Sequence, residues 1–243
     1  MTKQRAWLAG ALAVAGMNLW YRAHLRPWMY RWGSTPEEYA EGLPGDDMVK
    51  EGATRTTRSI TIHAPADAVW PWLAQIGEDR AGFYSYCRLE RAAGARIHDT
   101  DDIHPEWQSV RAGDTVWMAR RYGRSASQAV AAVEPGSFLI LVSQDDFDKL
   151  ENGGKAAGSW AFHLCQDGEN TRLIVRGNGG AVGHAIFDIP HFVMEQKMLR
   201  GIRDRAEGFR RNYVHPKFRV AHLSDDTRTE TAPGEHVGFN RIV

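Results

Sequence analysis

Two histidine–glutamate pairs are the residues best placed to do chemistry. His191 and Glu195 stand four apart, so on a helix their side chains meet across one turn. Glu195 falls on the stripe formed by Phe192, Leu199, Ile202, Ala206 and Phe209, with His191 near its edge. A carboxylate on a core-facing stripe is costly unless it is paired or hydrogen-bonded. Three roles follow. Glu195 fixes the polar end of a ligand, or it serves as a general acid or base with a pKa raised by burial, or it forms a structural pair with an arginine or with segment 32–38. The second pair, His104 and Glu106 beside Trp107, lies in the polar, irregular stretch 97–107 and suits the lip of a pocket or local capping. His98, Asp99, Asp101 and Asp102 add a metal reading to that stretch. Their spacing fits no ligand motif and lacks the glycine of an EF-hand, so neither a metal nor another cofactor is expected.

The chain has 30 basic and 30 acidic residues, and this balance argues against a nucleic-acid partner held by clustered positive charge. It contains no GxSxG, no Walker loop and no GxGxxG after a strand. The glycines at 177, 179 and 180 follow a late strand of a meander and not the first strand of a βαβ unit. Cys87 and Cys165 are too few for a disulfide framework and read as small buried hydrophobes in a reduced protein. The 9 tryptophans are the more informative composition. Tyr84, Tyr86, Trp107, Trp117 and Trp160 are candidates to line an apolar cavity, with Met198 as a flexible gap-filler; ordinary core is the alternative for each. Met194 is a second gap-filler of the same kind, although it falls off the main helical stripe.

These residues need elements to position them. Thr35 with Glu38 predicts a capping box, and Pro36 fits the first position of a short helix ending near Ala40. Alternation around Ile60 and Ile62 predicts a strand over 58–63. Val69, Trp70, Trp72, Leu73 and Ile76 predict a helix kinked at Pro71, and a second helix is expected over 83–93. Strands are predicted over 115–121, 127–134, 138–144, 158–165 and 171–178, with glycine turns between them. A long helix over 187–213 and a polar tail over 215–243 complete the chain.

Thr57 to Trp70 resembles the opening of the SRPBCC superfamily, which includes START domains, Bet v 1-like proteins and polyketide cyclase/dehydrase-like proteins. The resemblance continues through Gly82-Phe83-Tyr84-Ser85-Tyr86, Ile103-His104-Pro105-Glu106-Trp107, Glu134-Pro135-Gly136, Ser159-Trp160-Ala161-Phe162 and His191-Phe192-Val193-Met194-Glu195. The nearest subgroup looks like bacterial members with an N-terminal hydrophobic segment. The resemblance implies an α+β helix-grip fold, a curved antiparallel sheet wrapped around a long C-terminal helix with an apolar pocket between them. It implies no reaction, because members include carriers, receptors and enzymes.

Four regions result: an N-terminal hydrophobic and basic segment (1–31), a short helix and linker (32–55), the helix-grip domain (56–214) and the tail (215–243). The run over 6–21 is flanked by Lys3, Arg5, Arg22 and Arg26, with Trp7, Trp20 and Tyr21 near its ends. It reads as a transmembrane anchor, as a signal peptide cleaved near Ala13-Val14-Ala15, or as a helix packed on the domain. The first makes the protein membrane-associated; the last leaves it cytoplasmic. For function, the expected partner is a small hydrophobic ligand, a lipid, polyketide or similar molecule, bound or carried in an internal cavity. The alternatives are a cyclase- or dehydratase-type enzyme using His104, Glu106, His191 and Glu195, and an interaction module whose cavity is filled by side chains.

Overall fold

The structure, a computed structural model, describes residues 2–213. Period-two alternation builds its sheet from β1 (Arg55–Ile62), β2 (Thr115–Trp117), β3 (Ser127–Glu134), β4 (Phe138–Ser143), β5 (Gly158–Asp167) and β6 (Asn170–Gly179). The order is β1-β6-β5-β4-β3-β2, every pair antiparallel, so the first strand lies against the last. Ile60, Ile62, Phe162, Leu164, Leu173 and Val175 turn one face into the main core.

Two helices cover that inner face: α4 (Ala66–Ala74), and the 29-residue α7 (Ala185–Tyr213), which packs on α4 and β1. This is the α+β helix-grip arrangement expected from the sequence. Met198, Leu199, Ile202 and Ala206 of α7 enter the core, whereas Phe192 joins a separate cluster with Met29 and Tyr30. Gly201 brings the helix close to the chain below: a Cβ there would lie 2.4 Å from the carbonyl oxygen of Tyr84.

The linker region straps the outer face. Its helix α3 (Pro36–Ala40) is capped as predicted, Thr35 accepting from the Glu38 amide at 3.2 Å and the Glu38 carboxylate accepting from the Thr35 amide at 2.9 Å. Arg172 binds the Glu38 carboxylate, and the fully buried Arg176 donates to the carbonyl oxygens of Glu38 and Glu41 and to Asp46. His163 lies on this face with Nε2 sealed and, among the described residues, without a hydrogen-bond partner. Burial, reinforced by Arg176, lowers its pKa to about 4. The unfolded imidazole titrates near 6.5, so from there down to about 4 the unfolded chain binds the extra proton and stability falls as pH falls. The drop across that window should reach roughly 3 kcal/mol at most. His163→Leu is expected to shrink the difference between urea midpoints at neutral and acid pH; equal pH dependence in variant and wild type would rule His163 out as the cause.

Several expectations need correction. The second helix is only α5 (Cys87–Ala92), because Tyr84 is held at φ 55 by its amide bond to Asp99 (2.9 Å) and its hydroxyl bond to Gln75 (3.0 Å). The strand expected over 115–121 stops at Trp117, since the buried Glu78 carboxylate captures the amides of Arg96 and Arg120 and turns the chain. A helix that was not expected, α6 (Gln144–Glu151), follows β4. Cys165 is exposed and Cys87 half-buried; both are free thiols.

The N-terminal run forms α1 (Thr2–Trp20) and, after a π-helical turn, α2 (Arg26–Tyr30). Among the described residues no helix is long and apolar enough to cross a membrane, which corrects the transmembrane reading. The 19 residues of α1 include Lys3, Gln4, Arg5 and Asn18, leaving too short an apolar stretch. Trp7, Leu12, Val14, Met17, Leu19 and Trp20 are exposed and do not pack on the domain. α2 does pack: the Tyr30 hydroxyl donates to Asp188 of α7 at 2.7 Å. The tail read over 215–243 lies outside the described residues.

Candidate functional site

Because α7 crosses the inner face at only part of its length, a cavity of about 740 Å³ remains between its first half and the sheet. Its walls include Phe83, Met118, Trp160, Phe187, Met194 and Met198, with small residues such as Ala95, Ala126 and Gly158 giving it room. The interior is therefore not filled by the protein's own side chains.

One wall carries a buried polar knot. Arg58 projects inward from β1, donates through Nε to the Met29 carbonyl at 2.8 Å, and forms an ion pair with Glu195 of α7. Trp160 Nε1 on β5 donates to the other Glu195 oxygen at 2.7 Å. Both carboxylate oxygens are thus held by the protein. Burial opposes the charge on Glu195, yet the Arg58 charge and the hydrogen bonds from Arg58 and Trp160 outweigh it and leave the carboxyl below its ordinary pKa. This corrects the expectation that burial raises it: the sequence does not show that a strand arginine faces this glutamate.

His191 completes the knot. Its Nδ1 lies 3.3 Å from Arg58 Nη1, and a guanidinium can only donate, so Nδ1 accepts. The ring is then the neutral tautomer with its proton on Nε2, which lies 3.9 Å from Glu195. Burial, with Arg58 adding to it and Glu195 opposing, lowers the pKa of His191 and keeps it neutral. The Phe187 ring stacks on it, centroids 4.7 Å apart.

The cavity lining unites Trp160, His191, Glu195 and Met198 from among the sequence candidates. Tyr84, Tyr86, Trp107 and Trp117 lie outside it. Tyr84 is buried beneath α7, and Tyr86 is exposed. Trp107 stacks on His104 with centroids 4.1 Å apart, and Trp117 packs beneath the Arg120 guanidinium. His104 and Glu106 pair at 3.2 Å on the surface, also outside the lining. Asp101 pairs with Arg205 at 2.7 Å, and among the described residues no group of three or more His, Cys, Asp or Glu is arranged to hold a metal ion. Sequence reasoning missed Arg58 and Glu90, while Met194, the second methionine considered as a gap-filler, lines the cavity beside Met198 although it falls off the main stripe. The alternation that turns Ile60 and Ile62 inward also turns Arg58 inward, a signal that was available.

No family model matches this sequence, and no curated protein matches it. Among solved structures, a protein of Nitrosomonas europaea is 12% identical, with 69% of this chain and 99% of that one covered and a TM-score of 0.42. A polyketide-cyclase-like protein of Corynebacterium glutamicum is 15% identical over 71% of this chain and 99% of its own, TM-score 0.31. An AHSA1-like protein of Rhizobium etli is 14% identical over 79% and 98%, TM-score 0.37. Likenesses this distant assign neither a family nor a ligand; the fold rests on the sheet and helix described above.

Proposed function

We propose that this protein binds a small, mainly apolar molecule in the cleft between α7 and the sheet. The observation that supports it is an open cavity of about 740 Å³, walled in large part by aromatic, methionine and alanine side chains, with the Glu195 knot, Glu90 and Asp146 among its polar groups. That volume falls within the ordinary range of small-molecule sites, and few polar groups amid apolar walls is their usual composition. In this reading Arg58 and Trp160 hold Glu195 in place, and His191 offers the ligand an Nε2–H donor. Glu195, the lining carboxylate of the cyclase- or dehydratase-type reading, stays ionised with both oxygens engaged, which suits it to a fixed polar wall and makes it a poor proton donor. His104 and Glu106, the other pair considered for acid–base work, sit outside the lining.

The test fills the cavity. Ala126 lines it and is half-buried, so Ala126→Trp places an indole where the ligand would lie. The wild-type protein should bind the neutral fluorophore phenylnaphthylamine with a blue shift and enhanced emission. The variant should fold with an unchanged far-ultraviolet spectrum and lose at least about tenfold in affinity. Equal probe binding by both proteins would reject this cleft as the site.

A further inference from the structure

The charges around the cavity are lopsided. Its lining contains three carboxylates, Glu90, Asp146 and Glu195, and no lysine or arginine. Two of the three have cations behind them: Glu195 is paired with Arg58, and Asp146 with Lys149 at 2.7 Å. Glu90, on α5, differs. It has no ion-pair partner among the described residues, and its Oε2, packed against protein rather than open to the cavity, meets no hydrogen-bond donor there. His191, the remaining ionisable group of the lining, accepts from Arg58 and is neutral. Glu90 is therefore the lining carboxyl without a paired cation among the described residues, and Phe83, Trp160 and Phe187 are aromatic members of the same lining.

An anionic amphiphile would bring a second negative charge to these carboxylates and find no cation in the lining, an arrangement that costs affinity. A ligand with a positive charge meets the opposite situation, since a carboxylate and aromatic rings both attract cations. Resting on the proposal that the cleft binds an apolar molecule, we infer that its ligand carries a basic nitrogen, whose ammonium group pairs with Glu90. Burial first, and then the charge of Asp99, raise the pKa of Glu90 to about 7, with Arg91 opposing them. Glu90 is thus partly protonated in the empty cavity at neutral pH. Pairing with an ammonium draws it into the ionised form, and the displaced proton passes to the buffer.

Calorimetry on the full chain with decylamine, decanol and decanoate, three probes of equal tail, tests this. The amine should bind at least about tenfold more tightly than the alcohol, and decanoate most weakly. Titrations at pH 7 in phosphate and in Tris, which differ in ionisation heat, should show net proton release for the amine. Glu90→Gln should abolish the release and erase the preference for the amine over the alcohol. Alcohol or decanoate binding as well as the amine, or proton uptake on amine binding, would overturn the inference and leave the apolar site standing. Failure of all three probes to bind would remove the binding proposal and this one with it. The ranking by the wild-type protein decides the matter even if the variant does not fold.

Discussion

Replacing Arg58 by Met should cost about 3–5 kcal/mol of stability, the usual result of removing one partner of a buried ion pair. Glu195 would keep its carboxylate, 3% exposed, with Trp160 its remaining firm donor, so an uncompensated charge would stay in the core. The Met29 carbonyl would also lose its Nε donor, loosening α2 from β1. Glu195→Gln reverses the imbalance by leaving the arginine without its anion. The double variant Arg58→Met with Glu195→Leu should recover much of the loss, because apolar groups of similar volume often replace such a pair at little cost. Urea unfolding of the four proteins measures this. Single variants within about 1 kcal/mol of wild type would mean that the pair is solvated and the knot is not a buried feature.

Arg176→Met should produce a loss of similar size with a different signature. Arg176 is wholly buried on the outer face, donating to Asp46 at 2.5 Å, to the Glu41 and Glu38 carbonyls at 2.7 and 2.6 Å, and to Thr57 at 3.3 Å. Among the described residues Asp46 would keep only Arg55, at 3.4 Å and partly exposed, as its cation. Burial opposes the charge on Asp46, while hydrogen bonds from Leu43 and Asn178 and the charges of Arg176 and Arg55 hold its pKa down; losing Arg176 weakens that balance. About 3–5 kcal/mol is again the expected cost. Because these bonds hold the strap over 36–48, its release should precede global unfolding, and limited proteolysis under native conditions should cut the variant there. Resistance equal to that of wild type would show that Arg172 and the Thr35 capping box suffice to hold the strap.

Much of this architecture was legible in the residues. The strands of the meander, α4 and α7 came from period, and the start of α3 from Thr35, Pro36 and Glu38, because each signal is local. The extent of α5 was not legible, since Tyr84 is held out of helical geometry by Asp99 and Gln75, which are distant in sequence. α6 was missed although its signal is present: Ser143 caps it, Asp145 and Asp146 fill its first turn, and Phe147 and Leu150 pack beneath β4. At the site, the spacing of His191 and Glu195 singled out the right helix. Alternation in β1 marked Arg58 as inward-facing, but that it meets Glu195 was beyond reach, because pairing β1 against α7 is a tertiary event. Tyr84 and Trp117 show the limit of composition, since an aromatic ring fits core, surface or cavity equally well until its neighbours are known.

On the proposed reading, the space under α7 holds a molecule. Native mass spectrometry of the full chain, isolated gently from its host, tests that most directly when run beside Ala126→Trp prepared the same way. The account predicts a discrete, apolar adduct on the wild-type protein that collisional activation releases intact and that the filled-cavity variant lacks. A bare wild-type protein in repeated preparations, or the same adduct on both proteins, would contradict it.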